Sequence, residues 1–147
     1  MRLPVAALLL GTAAVLTCGK VPSKGVGSDL TPFELAHGVG PIKEPLNLDP
    51  IDEQLAAAGQ KLYQMNCGSC HRLDRRFVGP PLGAVTARRS PEFVLNMILA
   101  PQAMLQKHPE ARKLLEQYLT PMTPANVSRE EARAVLEYLR TTPPPVQ

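Results

Sequence analysis

Cys67-Gly68-Ser69-Cys70-His71 is the stretch of sequence that decides how this chain folds. It has the form Cys-x-x-Cys-His, which is the attachment site of a c-type haem. Two thiols one helical turn apart can add to the two vinyl groups on one edge of a porphyrin, and the histidine that follows can reach the iron as an imidazole ligand. The motif therefore predicts one covalent haem c, attached through Cys67 and Cys70, with His71 as a metal ligand.

Two other chemistries use a Cys-x-x-Cys pair. A dithiol redox pair belongs in a strand–helix–strand setting, and the sequence around residues 67–70 has no such pattern. A zinc site needs two further ligands, and the remaining candidates, Cys18, His37 and His108, are scattered singly along the chain. Neither alternative therefore fits as well as the haem.

The composition agrees with a bound macrocycle. The chain has 147 residues, with only 4% aromatic residues and no tryptophan, so a single domain of this size would bury a thin core. A flat apolar haem wrapped by helices would fill much of that gap. The formal net charge of +3 does not suggest nucleic-acid binding.

The amino-terminal region is expected to be processed and flexible. Residues 1–17 carry Arg2 and then an apolar run too short to span a bilayer, as in a secretory signal. Cys18, directly after this run, resembles the lipidated cysteine of a bacterial lipoprotein. Residues 18–50 are rich in Gly and Pro and predict a flexible tether in which His37 lies at the surface. Residues 31–39 within it have a short helical pattern, and docking of this segment on the domain is the alternative. The protein is thus expected to be exported to the periplasm and tethered to a membrane through Cys18; ordinary signal cleavage nearby is the alternative.

Periodicity and capping residues predict an all-α domain. One helix is expected over 52–66, a second from Pro91 to before Pro101, a third after His108-Pro109, and a last one after the capping box at Ser128, running to about 140. Met104 and His108 are expected between helices, in core or loop positions, and residues 142–147 as a proline-rich tail. The apolar stripe of the first helix is predicted to comprise Leu55, Ala58, Leu62 and Met65.

The pattern Gly59-x-x-x-Tyr63-x-x-x-Cys67-x-x-Cys-His resembles the amino-terminal helix of class I c-type cytochromes. The resemblance extends over residues 51–141 and implies a cytochrome c-like helical fold wrapped around one haem. It implies that the amino- and carboxy-terminal helices cross, with Val135 and Tyr138 over Gly59 and Tyr63.

The same resemblance implies further residues that contact the haem. Pro80, in a Gly-Pro-x-Leu turn, would accept the Nδ1 proton of His71 through its carbonyl, which orients the ring and strengthens it as a donor. Leu82 would pack on the haem, and Arg88, with Arg89 as the alternative, would bind a propionate. Met122, between Pro121 and Pro124, resembles the family's distal iron ligand, and a thioether there raises the reduction potential.

These features predict an electron carrier and not an enzyme. The alternatives are a haem subunit of a respiratory reductase or oxidase complex, and a haem enzyme or gas sensor whose distal position opens. The segment between Arg88 and Met122 resembles small cytochromes that accompany periplasmic nitrogen-oxide reductases. Redox partners are expected to present an acidic docking face, and the protein is assumed to be a monomer. The cationic residues expected near the haem edge are Lys61, Arg72, Arg75 and Arg76.

Overall fold

In the computed structural model the chain is described over residues 29–145. That part of the chain is helical, without strands. The elements are α1 (Pro32–His37), α2 (Glu53–Asn66), a 3-10 turn (Val85–Ala87), α3 (Pro91–Leu99), α4 (Pro101–Lys107), α5 (Pro109–Tyr118) and α6 (Arg129–Thr141). The predicted all-α fold is confirmed. No helix among the described residues is long and apolar enough to cross a membrane. The predicted signal segment and Cys18 lie outside the described residues.

Capping residues define the helix starts that the sequence predicts. The Asp52 carboxylate accepts hydrogen bonds from the first turn of α2, and Ser90 and Ser128 cap α3 and α6 in the same way. The imidazole of His108 caps α5 by accepting the Glu110 N–H. Each cap satisfies an amide that would otherwise lack an intrahelical partner.

The crossing of α2 and α6 is the centre of the fold. A Cβ placed on Gly59 would lie 1.9 Å from the carbonyl oxygen of Ala134, so the two backbones touch at this point. Beyond the crossing, the rings of Tyr63 and Tyr138 lie 5.4 Å apart. Small residues permit such a close approach of helices, and α2 delivers Cys67 directly from this contact.

The predicted apolar stripe of α2 is partly wrong. Met65 is 69% exposed and Ala58 is also exposed, whereas the buried face consists of Ala56, Gly59 and Tyr63, followed by Cys67. The close contact with α6 requires small residues at the crossing. Hydrophobic periodicity instead gives most weight to large apolar residues, which here lie beside the crossing or in solvent. The buried face is therefore rotated from the predicted one.

For residues 29–50 the predicted flexible tether is wrong, and the alternative, a short helix docked on the domain, matches α1. Residues 29–50, here called the N-terminal arm, pack against α3 and α4, and Ile42 is only 2% exposed. The buried side chain of Asn96 accepts the Ile42 N–H and donates to the carbonyls of His37, Gly38 and Ile42. The Met104 sulfur accepts the Val39 N–H at 3.0 Å.

His37, in this arm, is not a free surface histidine, because its Nδ1 lies 2.9 Å from the Ser90 hydroxyl and 3.2 Å from the Glu92 carboxylate. Glu92 also accepts the N–H of Leu46. Side chains of Asn96 and Glu92 hold the arm through its backbone groups. Such contacts do not require apolar residues at regular spacing, so the arm packs without hydrophobic periodicity.

Helix α4 was not predicted. Pro101 ends α3 and also begins α4, since a proline is well tolerated in a first helical turn. Met104 lies on this helix and is fully buried, and His108 closes it with 1% exposure. Phe93 packs edge-on against the His108 ring, with centroids 5.2 Å apart.

Candidate haem site

A cavity of about 860 Å³ lies between α3, α6 and the loop after Cys70. Its volume is that of a site for a large organic cofactor. Apart from His71 and two arginines, the lining is mostly apolar. The lining residues include Cys67, His71, Pro80, Leu82, Arg88, Arg89, Phe93, Val94, Met97, Ile98, Tyr118, Met122, Val135, Leu139, Pro144 and Pro145.

The structure thus brings together almost every predicted site residue. Cys67, His71, Pro80, Leu82, Arg88 and Met122 all line the cavity, whereas Cys70 is exposed and is not part of the lining. Residues 67–71 form a tight turn, with the N–H groups of Cys70 and His71 both donating to the Cys67 carbonyl. This turn places Cys67 and the His71 imidazole in the cavity lining and keeps Cys70 within the same turn.

His71 is held in the orientation that a metal ligand needs. Its Nδ1 lies 2.9 Å from the Pro80 carbonyl oxygen, which can only accept, so Nδ1 carries the proton and Nε2 keeps its lone pair. Burial lowers the pKa of His71, partly opposed by this hydrogen bond, and the ring is therefore neutral near pH 7. A neutral imidazole with a fixed tautomer is what iron coordination requires.

Gly79 and Tyr63 shape the same end of the cavity. A Cβ on Gly79 would lie 2.5 Å from Cε1 of His71, so only glycine leaves room for the ring. The Tyr63 hydroxyl donates to the His71 carbonyl at 3.2 Å, and burial raises the pKa of Tyr63 to about 12, which keeps it a donor. The Arg72 guanidinium donates to the carbonyls of Gly68 and His71. The role of Gly79 was missed, although its position just before Pro80 is a usable signal.

The cysteines argue against a dithiol redox pair. Burial, with a smaller contribution from Cys70, raises the pKa of the unmodified Cys67 thiol to about 11. A redox-active cysteine instead has a lowered pKa that favours the thiolate. Among the described residues, no group of three or more His, Cys, Asp or Glu side chains is arranged to hold a metal ion.

Arg88 and its alternative Arg89 make contacts within the protein that the sequence did not indicate. Arg88 donates to the carbonyls of Pro81 and Gly83, at 3.0 and 2.7 Å, and so closes the loop after His71. Arg89 lies over the Phe93 ring and pairs with Glu110. Both arginines line the cavity, and the propionate contact of Arg88 stays a prediction.

Methionine is the second potential iron ligand of this cavity. Of the candidates, Met65 is exposed on α2 and Met104 is committed to Val39, which leaves Met97 and Met122 in the lining. Met97 was predicted to be packing only. His108 is excluded as a ligand because Nδ1 accepts the Glu110 N–H and Nε2 donates to the Leu35 carbonyl at 3.2 Å.

A helical fold that closes around a Cys-x-x-Cys-His cavity defines a c-type haem protein, and the residues present fit that group. The comparisons agree: the family model described as Cytochrome c matches residues 56–143. The chain belongs to the cytochrome c family. Its members bind haem c covalently, and the family supports a role in electron transfer.

Solved structures give the same result. Cytochrome c from Rhodothermus marinus is 45% identical, with a TM-score of 0.69, and the match covers 75% of this chain and 95% of that one. An engineered cytochrome c from the same organism is 44% identical over 75% of this chain and 96% of that one, with a TM-score of 0.69. An engineered form bound to a carbene intermediate matches with 44% identity over the same shares and a TM-score of 0.67. No curated protein sequence matched.

Proposed function

We propose that this protein is an exported, single-haem electron carrier in which His71 and Met122 are the axial ligands of the iron. The observation that supports it most is the 2.9 Å hydrogen bond from His71 Nδ1 to the Pro80 carbonyl, which leaves Nε2 free in a cavity that Met122 also lines. A haem bound here supplies a one-electron couple. The chain's own residues would then supply both iron ligands, exclude water and hold the imidazole in one tautomer.

The ligand assignment is tested by comparing Met122→Ala with Met97→Ala. We expect the oxidised parent to show the near-infrared methionine-to-iron band, and the reduced parent not to bind carbon monoxide at neutral pH. Met122→Ala should lose the band and gain carbon monoxide binding, whereas Met97→Ala should keep the parent spectrum. Exposed Met65→Ala is the matched control. A band that survives in Met122→Ala would overturn the assignment.

We also propose that the redox partner presents an acidic surface with an apolar centre. The loop after His71 carries Arg72 over the Phe77 ring at 4.2 Å, and Arg76 over the Tyr118 ring at 4.4 Å. Arg76 also donates to the Gln117 carbonyl, which joins this loop to the end of α5. Large apolar side chains are exposed in these two segments: Phe77 at 48%, Val78 at 37% and Leu119 at 83%.

The charge of this surface is tested with small redox probes. Oxidation of the reduced protein by ferricyanide, an anion, should slow as salt is added, and oxidation by a cationic cobalt phenanthroline complex should not. Arg76→Gln should lower the ferricyanide rate about twofold at low salt. The matched control is Lys43→Gln in the N-terminal arm, which should leave the rate unchanged. Equal salt responses for both probes would contradict the proposed surface.

Membrane attachment through Cys18 is the last part of the proposal. Cytochrome c proteins are typically exported to the periplasm, and the charge-then-apolar order of residues 1–17 supports the same destination. We expect the intact mass of the native protein to include a diacylglyceryl group on Cys18, and Cys18→Ala to move the protein to the soluble periplasmic fraction. A native mass without the lipid would contradict membrane attachment through Cys18 and would leave only the proposal of a soluble electron carrier.

A further inference from the structure

The carboxy-terminal tail contributes to the haem cavity. Residues 142–147 were predicted to lie outside the domain, and the match to the family ends at residue 143. Yet Pro144 and Pro145 line the cavity together with Leu139, the last cavity residue of α6. The predicted domain boundary at residue 141 is therefore wrong, because the chain continues along the cofactor site after the helix ends.

Direct contacts hold this tail against the loop that follows His71. Thr142 is only 8% exposed, and its hydroxyl donates to the Leu139 carbonyl at 2.8 Å while it accepts the Ala84 N–H at 3.2 Å. A Cβ on Gly83 would lie 2.4 Å from the Pro143 carbonyl oxygen, so the two backbones are in contact. The Gly83 N–H in turn donates to the Leu73 carbonyl at 2.9 Å. The tail is thus connected, through one loop, to the segment directly after the proximal ligand.

Proline suits a wall that excludes water. It has no backbone N–H to hydrate, its φ is fixed, and its ring is apolar. Two prolines in succession give a stiff edge that stays in place at little further cost in conformational entropy. Burial of a haem from solvent favours the reduced iron, which carries less positive charge than the oxidised iron.

We propose that residues 142–145 form a water-excluding wall of the haem cavity and raise the reduction potential of the haem. The proposal rests on the haem occupying this cavity, as the proposed function requires, but not on the identity of the second axial ligand. If Met122 proves not to be the second iron ligand, the proposal about residues 142–145 therefore still stands.

The experiment compares two truncated holoproteins, one that ends at Thr142 and a control that ends at Pro145. Spectroelectrochemical titration should show a lower midpoint potential for the chain that ends at Thr142. At the parent's midpoint, its ratio of reduced to oxidised haem should fall about threefold. The control should titrate like the full chain. Equal midpoints for the two truncated proteins would overturn the proposal.

A full-length variant keeps the test decisive if the shorter chain does not fold. The double substitution Pro144→Ser with Pro145→Ser retains the Thr142 contacts and should lower the midpoint in the same direction. Thr142→Val loses the Ala84 contact and should produce a smaller fall. The ligand-sensitive electronic spectrum must stay that of the parent in all three proteins, whichever residue is the second ligand. A fall in midpoint accompanied by a change in that spectrum would trace the effect to axial ligation and would contradict the wall.

Discussion

The two sides of the haem cavity are built differently. On the His71 side, the imidazole is held by Pro80, the His71 carbonyl by Tyr63 and Arg72, and the ring packs against Gly79. On the Met122 side, residues 120–127 make no hydrogen bond to other described residues. There Leu119 and Asn126 adopt left-handed backbone conformations, and Pro121 and Pro124 flank the methionine.

The difference shows which ligand the chain positions by itself. A network of directed hydrogen bonds orients His71 independently of the iron, whereas Met122 would be positioned only by its two flanking prolines and, under the proposed ligation, by the iron itself. Substitutions on the His71 side should therefore change stability. Substitutions on the Met122 side should chiefly change how readily the iron exchanges its distal ligand.

The largest effect is expected at the helix crossing that supports the His71 side. Gly59→Ala forces a methyl group against the Ala134 carbonyl and should lower the free energy of unfolding of the holoprotein by about 3 kcal/mol. At an uncrowded helix position the same change would stabilise by about 1 kcal/mol. Guanidinium denaturation measures the effect. The matched control, exposed Ala57→Gly, should cost only about 1 kcal/mol, and a stabilised Gly59→Ala would refute the close crossing.

The next largest effect concerns the buried carboxylate of α6. Burial opposes ionisation of Glu137, but hydrogen bonds from the Asp52 N–H and from Arg133 and Arg140 lower the pKa of its carboxyl below the ordinary 4.5. The stabilisation is therefore present above about pH 4.5 and is lost as the pH falls through the lowered value. Glu137→Gln should cost about 2 kcal/mol at pH 7 and should flatten the acid limb of the stability curve.

Denaturant titrations of parent and variant from pH 7 to about pH 3 test this dependence. Exposed Glu116→Gln on α5 is the control and should follow the parent. Parallel acid limbs for the parent and Glu137→Gln would show that another group carries the acid sensitivity.

A smaller effect is expected at Gly79. Gly79→Ala brings a methyl group to 2.5 Å from Cε1 of His71, so the ring must shift against the Pro80 hydrogen bond. We expect a loss of about 1.5 kcal/mol in stability. We also expect a higher midpoint potential, because a weakened Pro80 hydrogen bond makes the imidazole a poorer donor to oxidised iron. Thermal denaturation and redox titration report the two effects. Val78→Ala, one residue earlier in the same loop, should change neither quantity, and a Gly79→Ala protein with the parent potential would argue against steric control of the ring.

The smallest change in stability is expected on the Met122 side. Pro121→Ala with Pro124→Ala should cost no more than about 1 kcal/mol while raising the rate of imidazole binding to the oxidised haem about threefold. Stopped-flow absorbance gives this rate. The exposed prolines of the arm provide the control, in a Pro41→Ala and Pro45→Ala protein with the parent rate. If both pairs behave alike, the prolines do not restrain the distal segment.

Local chemistry explains what could be read from the sequence. The spacing of Cys67, Cys70 and His71 identifies the cofactor because the chemistry is confined to five consecutive residues. Ser90 and Ser128 mark helix starts because a cap acts within one turn. Pro80 and Gly59 were found through a family resemblance, and the structure then supplied their contacts, with the Nδ1 of His71 and the backbone of Ala134 respectively.

Contacts between distant segments could not be read in this way. Asn96 binds the N-terminal arm across more than 50 residues, and Thr142 binds Ala84 across 58. An isolated asparagine or threonine carries no signal for such a partner, and a proline-rich stretch has no periodicity whether it is packed or solvated. Met65 is the opposite case, a residue that the sequence pattern predicts to be buried and the structure exposes. It lies at helical spacing with other apolar residues, but the crossing with α6 buries a different face of α2.

By itself, then, the sequence determined the haem, its proximal ligand and the helical fold, because these depend on short spacings and on local helix caps. The crossing of α2 and α6 followed from the family resemblance, and the structure then showed the contact. Only the tertiary structure decided that the arm and the tail belong to the domain, and that Gly79 leaves room for the His71 ring. Those features depend on contacts that distant segments make with backbone amides, carbonyls and Cα atoms after folding. Because every residue carries nearly the same backbone groups, the sequence does not show which of them will be contacted.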